Sequence, residues 1–416
     1  MADLEELAAL YRDLHAHPEL AFAEHRTAGI AAERLRELGY QVTTGVGGTG
    51  VVGVLARGTG PTVLLRADMD GLPVLERTGL PYASTARVSS AGPAHSGGQD
   101  VPVMHACGHD MHVTCLLGAA ADLAAAADRD EWQGTLLLVF QPAEEGGGGA
   151  QAMIDDGLYE RFPVPEIVLG QHVSPMPAGV LGLHAGPAMA GADALRIVLH
   201  GQGGHGSQAE TTVDPIVMAA ATVLRLQGIV SREVAARDFA VLTVGALHAG
   251  TAVNIIPDQA ELLVALRHYD DRVRAKALAA VERIVRAEAA ASGAQKDPEI
   301  TTTITFPVLV NDPAGSARLT DRFNAGVGLA LDPGPVTASE DVGLLATAIG
   351  VPCVYWFLGG SDPALFAGAT SPEEVRGIVA GLPSNHSPLF APVTDPTIRT
   401  GVAALTAAAR AWLAEA

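Results

Sequence analysis

The sequence predicts an α/β protein: a mixed, mostly parallel sheet covered by helices, interrupted by an inserted βαββαβ unit. Three observations carry that expectation. Apolar strand-like runs alternate with helical patterns over residues 1–187 and again towards the C-terminus, as in a sheet buried on both faces. Between them, residues 188–306 read strand, helix, strand, strand, helix, strand, which is a self-contained split βαβ arrangement. The chain has 416 residues, more than a single ordinary core organises. The boundaries follow as 1–187 and 307–416 for a discontinuous larger domain and 188–306 for the insertion.

Residues 3–16 and 24–38 have helical spacing, with Leu4, Leu7, Leu10 and Leu14 on one face of the first. Strands are expected at 49–56 and 62–68, followed by a helix over 110–127 with Asp110 as its N-cap. Strands at 134–140 and 165–173 flank a short helical pattern near 149–155. The insertion then runs as strand 193–201, helix 214–230, strands 239–247 and 259–268, helix 271–290 and strand 299–306. An apolar strand around "VPCVYWFLG" and a helix near 394–415 resume the first style.

Composition excludes several classes of function. With 26 basic against 46 acidic residues the net charge is −20, which opposes binding to nucleic acid or an anionic membrane surface. The acidic start "MADLEELAAL" lacks the n- and h-regions of a secretory signal. No apolar run approaches the ~20 residues that cross a bilayer. Cys107, Cys115 and Cys353 are odd in number and dispersed, unlike a disulfide framework. A soluble, cytoplasmic protein is expected.

Two stretches concentrate chemistry. In "QPAEEGGGGA" (141–150) two adjacent carboxylates, Glu144 and Glu145, precede four glycines. In "MHACGHD" (104–110) Cys107 and His109 flank a glycine just before a helix, which suits two ligands of one borderline metal ion. A buried cysteine beside a helix-capping histidine would look the same. The strand ends add weight, because function in open α/β sheets gathers beyond the carboxyl ends of the strands. Strand 62–68 ends at Asp68 with Asp70 just beyond, 134–140 runs into Glu144 and Glu145, and 165–171 ends at His172. His386, in "SNHSP", follows in a later loop.

Cys, His and Glu converging on one edge have a metal-site composition that an apolar core would not tolerate unpaired. One carboxylate then binds metal and its neighbour stays available as general base for a water, with the glycines leaving the backbone open to close approach. Gly147 to Ala152 formally fits G-x-G-x-x-A after a strand. Its distance from the strand and the two carboxylates that would face a pyrophosphate count against a dinucleotide.

"HACGHD", "QPAEEGGGGA", "GQHV", "GGHGS" and "NHSP", in that order, resemble the M20 metallopeptidase/aminoacylase family. The resemblance is to its amidohydrolase branch of hippurate hydrolases, N-acyl-amino-acid amidohydrolases and auxin-conjugate hydrolases. "LHAHPELAFAEHRT" (14–27) and "RADMDGLP" (66–73) match the same group, so the likeness runs nearly end to end.

It implies a zinc-peptidase-like catalytic domain with a dinuclear metal site and an inserted ferredoxin-like lid through which the protein forms a homodimer. It also implies Cys107, His109, Glu145, His172 and His386 as ligands of two divalent ions, zinc foremost with manganese, cobalt or nickel as alternatives. Glu144 becomes the general base and His205 the oxyanion partner, while Asn254 and Arg267 hold the substrate carboxylate. Related branches carry a His ligand where this chain has Arg66. Cys107 is therefore expected to take over the bridging work, with Asp68 left as a catalytic-site orienter.

Where the family usually has a Pro-His pair, this chain has Ala209 and Glu210, and Glu210 would repel an acidic substrate or select a basic one. The implied activity is metal-dependent hydrolysis of the amide bond of a small N-acyl amino acid. The alternatives are a dipeptidase or carboxypeptidase of the same fold, and a non-catalytic metal-binding interaction protein.

Other residues receive structural readings. His15, His25, His95, His184, His200, His248 and His268 are expected at the surface or in hydrogen-bonded structure. His105 and His112 lie close enough to the ligands to support them, and Cys115 and Cys353 belong to the core. Glu340 and Asp341 are candidates for lining the site or capping a helix, and His17 and Glu19 have no assigned chemistry.

Overall fold

The computed structural model describes residues 3–89 and 100–414; His95 lies outside them. Strands Thr62–Asp68, Gly134–Gln141, Ile167–Pro177 and Cys353–Ser361 are almost wholly buried along their apolar runs, as a sheet covered on both faces requires. Across the eight-stranded sheet the order is Gln41–Val46, Gly50–Arg57, Gly134–Gln141, Thr62–Asp68, Ile167–Pro177, Cys353–Ser361, Val180–Gly182 and Leu329–Leu331. The central four pair in parallel and the first two strands pair antiparallel. This is the mixed, mostly parallel sheet that the alternating pattern predicts.

Helix Leu4–Ala16 begins at an Asp3 N-cap and buries Leu7, Leu10 and Leu14. Helix His25–Glu37 is started differently: Glu19 accepts the amide protons of Arg26 at 2.8 Å and Thr27 at 2.9 Å. That gives Glu19 a structural role. Helix His109–Asp128 is buried over most of its length and packs against Leu4–Ala16 and Thr397–Trp412. Its N-cap is not Asp110 but Gly108, at φ 84°. Asp110 sits in the first turn, where its carboxylate accepts from Met111 N–H and pairs with His15.

The chain divides into two compact units: Met1–Gly186, Val310–Gly334 and Asp341–Ala416 form one, Pro187–Leu309 and Pro335–Glu340 the other. The second gains the short 335–340 segment because Ala190 N–H donates to Val336 and Ala338 carbonyls and Val336 N–H donates to Ala188. Its four-stranded antiparallel sheet has the order Ala240–Ala249, Gln259–His268, Gly191–His200, Glu299–Phe306. Helices Pro215–Gly228 and Asp271–Ala291 start at Asp214 and Asp270 N-caps. They close a separate core around Ile197, Leu199, Met218, Leu262, Val264 and Val281. This is the predicted βαββαβ unit. Among the described residues, no helix is long and apolar enough to cross a membrane.

Candidate active site

Gly108 sets the first two ligands. Its left-handed φ of 84° turns the backbone between Cys107 and His109, and a Cβ there would lie 2.3 Å from Val173 Cγ1, so only glycine fits. Cys107, His109 and His172 bring ligand atoms within 4.8 Å of one another, and so do Cys107, Glu145 and His386. The Cys107 thiol is common to both triads and its Sγ lies 3.4 Å from His172 Nε2.

The second triad is built by loop contacts. His386 N–H donates to Ala106 O at 2.8 Å. Asn385 Nδ2 donates to Cys107 O and to Val173 O, both at 3.1 Å. Glu145 Oε1 then lies 3.1 Å from His386 Nε2, whose side chain is 57% exposed against 11% for Glu145. His386 is thus the open side of the cluster.

The tautomers follow from the partners. His109 Nδ1 is 3.2 Å from Asp70 Oδ1, and His172 Nδ1 is 2.7 Å from Val173 O. With those acceptors each ring donates through Nδ1, and Nε2 is the nitrogen that faces the cluster. His112 is different: Nδ1 donates to Asp68 at 2.5 Å and Nε2 accepts from Val173 N–H at 2.8 Å. With both nitrogens engaged it has no lone pair for a metal, and it braces Asp68 against the strand carrying His172. His105 is also buried, and neither of its nitrogens has a hydrogen-bond partner among the described residues.

Asp68 is fully buried between Arg66 Nη1 at 2.7 Å and His112. Burial opposes its ionisation, but Arg66, His109 and His112 hold its carboxyl well below the ordinary range. Arg66 itself is a buried cation, donating to Gln141 Oε1 at 2.9 Å and to Asp341 Oδ1 at 3.1 Å besides Asp68. Asp341 also accepts from Gln141 Nε2 and Ala150 N–H, so it locks this network and does not cap its own helix.

The two-glutamate turn is held by buried acids. Glu24 accepts from Ala143 N–H at 2.8 Å, and Asp70 accepts from the amides of Glu144 and Glu145 at 3.0 Å each. Gly149 N–H returns to Ala143 O at 3.2 Å, and a Cβ on Gly149 would lie 1.6 Å from Pro142 O. Gly149 thus serves the turn's closure on itself, whereas a Cβ on Gly148 would meet nothing within 4 Å.

The residues present fit divalent metal. Among the described residues the buried His109 Nε2 has no hydrogen-bond partner, a costly state that a cation would relieve. Burial, with Glu145, Glu144 and Asp68, pushes the Cys107 thiol well above its ordinary value. Burial disfavours protonated His109, yet Asp68 and Asp70 raise it to about 10. The acids around both groups favour positive charge there, and soft thiolate with imidazole and carboxylate suits a borderline divalent ion.

The remaining predicted residues lie in the second unit. Gly204–His205 pairs with Ile255–Ile256, and Gly206 N–H donates to Asn254 O at 2.9 Å, which makes His205 and Asn254 neighbours in chain geometry. His205 Nδ1 accepts from Ser207 N–H at 3.1 Å, leaving its proton on Nε2. Arg267 Nη1 donates to Thr337 O and Ser339 Oγ, both at 2.8 Å. Sequence reasoning missed Asp70, Asn385 and Glu24 as partners. The second acid of "DMD", the Asn beside His386 and the acid of "FAEH" were the available signals.

A mixed α/β scaffold with two ligand triads sharing a thiol defines a metal-dependent hydrolase. The chain belongs to Peptidase family M20/M25/M40, whose model matches residues 64–375. It is 38% identical over 358 residues to hippurate hydrolase of Campylobacter jejuni, covering 85% of this chain and 88% of that one. It is 37% identical to thermostable carboxypeptidase 1 of Saccharolobus solfataricus, with 84% of each covered. Among solved structures it resembles a Bacillus subtilis dinuclear metal binding peptidase of the M20 family, with a TM-score of 0.72, 27% identity and 98% of both chains covered.

Proposed function

We propose that this protein hydrolyses the amide bond of N-acyl amino acids, with Cys107, His109, Glu145, His172 and His386 holding two divalent ions and Glu144 as general base. The observation that carries this reading is the pair of ligand triads sharing Cys107, with a second glutamate directly beside the ligand Glu145. Bound divalent metal supplies Lewis-acid polarisation of the carbonyl and acidifies water. Zinc suits the donor set first; manganese, cobalt and nickel suit it too.

Glu144, 5% exposed, takes the proton of the attacking water and returns it to the departing amine nitrogen. Asp68 is a positioning residue: its oxygens are engaged by Arg66 and His112, so it acts through the rings and not on substrate. His205, with its proton on Nε2, is set up to donate to the developing oxyanion. Arg267 and Asn254 anchor the substrate carboxylate, which selects an acyl amino acid over a simple amide. The same reading makes the protein a cytoplasmic homodimer assembled through the second unit, without nucleic-acid or membrane partners.

The carboxypeptidase relative at 37% identity supports a second reading, cleavage of peptides. Release of free amine from a panel of N-acyl amino acids, with zinc, manganese or cobalt supplied, tests both. Turnover of acylated amino acids supports the first reading. Cleavage of dipeptides alone moves the activity to the second, and metal binding without turnover on either panel leaves a non-catalytic metal protein.

A further inference from the structure

Four described residues other than glycine have a left-handed φ, and two of them share one hydrogen-bond acceptor. Phe22 has φ 60° and Ala143 has φ 50°. Glu24 Oε1 accepts from Phe22 N–H at 2.9 Å and from Ala143 N–H at 2.8 Å. Ala143 immediately precedes Glu144, the general base of the reading above. Resting on that reading, we propose that Glu24 is a positioning residue. It keeps Ala143 in a conformation that alanine resists, and so fixes the direction in which the chain presents Glu144.

A left-handed φ crowds the Cβ of an L-residue and comes without penalty only to glycine. Elsewhere it persists where the surroundings impose it. Glu24 is fully buried, and the Thr49 hydroxyl donates to its other oxygen, which fixes the carboxylate against the two amides. An ionised carboxylate accepts on both oxygens and takes all three donors.

The segment that carries Glu24 also lies against the turn. A Cβ on Gly146 would sit 3.3 Å from Ala21 Cβ, and one on Gly48 would sit 3.2 Å from Phe22 Cδ1. The bend at Phe22 belongs to the same device, since it brings that residue's amide back onto the carboxylate two residues on. Asp70 holds residues 144 and 145 by their amides. Neither contact reaches Ala143, whose N–H goes to Glu24.

Steady-state kinetics of the full chain on an N-acyl amino acid, with zinc supplied, test this in three variants. Methionine at 24 fills the space but accepts from neither amide, so Glu24→Met should lower kcat roughly 10–100-fold with KM unchanged. Glutamine keeps an oxygen for both amides and turns its NH2 to the Thr49 hydroxyl, so Glu24→Gln should stay near wild type. Glycine adopts a left-handed φ without a clamp, so Glu24→Met combined with Ala143→Gly should recover most of the loss. A role in folding alone would not be reversed by deleting one methyl group. Wild-type kcat in Glu24→Met, or a double variant no better than Glu24→Met, overturns the proposal. Wild-type turnover in Glu144→Gln instead removes the base reading on which the proposal rests. Amide hydrogen exchange of the wild type depends neither on turnover nor on any variant folding. The Ala143 amide should be protected, and free exchange there overturns the proposal.

Discussion

Arg66 donates to Asp68 at 2.7 Å with both side chains sealed from solvent, so a full cation stands behind the candidate metal centre. Its further partners Gln141, Tyr355 and Asp341 come from three other parts of the chain. Removing the guanidinium leaves Asp68 and Asp341 buried without it. Breaking one side of a buried ion network costs about 3–5 kcal/mol. Arg66→Ala is therefore expected to lower the unfolding free energy by that order, read by urea denaturation. An unchanged midpoint would show that the network contributes nothing to stability.

Glu144→Gln keeps the size and the backbone contacts of residue 144 but cannot accept the proton of water. Loss of a general base lowers rate by roughly 10²–10⁴-fold, so kcat should fall on that scale while zinc or manganese content stays at the wild-type level. Substantial turnover with metal still bound would remove Glu144 from the role.

Much of this site was legible in the sequence because most of its ligands stand at or beside element ends. Cys107 precedes a helix whose first residue is His109, and Glu144 and Glu145 follow one strand, whereas His172 lies in the middle of the next, Ile167–Pro177, which runs past the end at 171 that the sequence suggests. Strand ends of a parallel sheet meet on one edge, so position along the chain predicts position in space. The supporting contacts were not legible. That His112 cannot be a ligand depends on Val173 N–H, and the hold on residues 144 and 145 depends on Asp70, each a pairing across distant segments. Asp110 shows a local rule losing to geometry: Gly108 alone can turn the backbone there, and it takes the cap position.

His15 gives a pH dependence away from the ligands. Burial disfavours its charge, but hydrogen bonds to Asp110 and Glu76 outweigh that and raise it from 6.5 to about 10. A raised folded-state value contributes stability that is fully present below 6.5 and is lost as pH rises through about 10. His15→Gln removes the titration. Wild type should lose stability relative to this variant between those two values, measured as denaturation midpoints across pH. A parallel pH profile for both proteins would contradict the ion triad.

Metal should stabilise the fold as well as activate it, since ligands that bind only the native state shift its equilibrium. At a hundred times its dissociation constant an ion adds ~2.7 kcal/mol. Adding zinc to chelator-treated protein should raise the Tm, and Cys107→Ala, which removes the atom shared by both triads, should abolish most of the rise. A full rise in Cys107→Ala would place the ions elsewhere.

The glycine run separates steric need from sequence habit. A Cβ on Gly149 would lie 1.6 Å from Pro142 O, whereas one on Gly148 has nothing within 4 Å. Gly148 has φ −176°, extended backbone that any residue adopts. Gly149→Ala must therefore displace the Pro142 carbonyl and shift the turn that carries Glu144 and Glu145, with an overpacking cost of about 1–3 kcal/mol. Gly148→Ala meets no such obstacle. Activity and metal affinity should fall together in Gly149→Ala and remain near wild type in Gly148→Ala. Equal losses in both would mean that the run is needed for open backbone near the substrate, and that closure of the turn is not what the glycines serve.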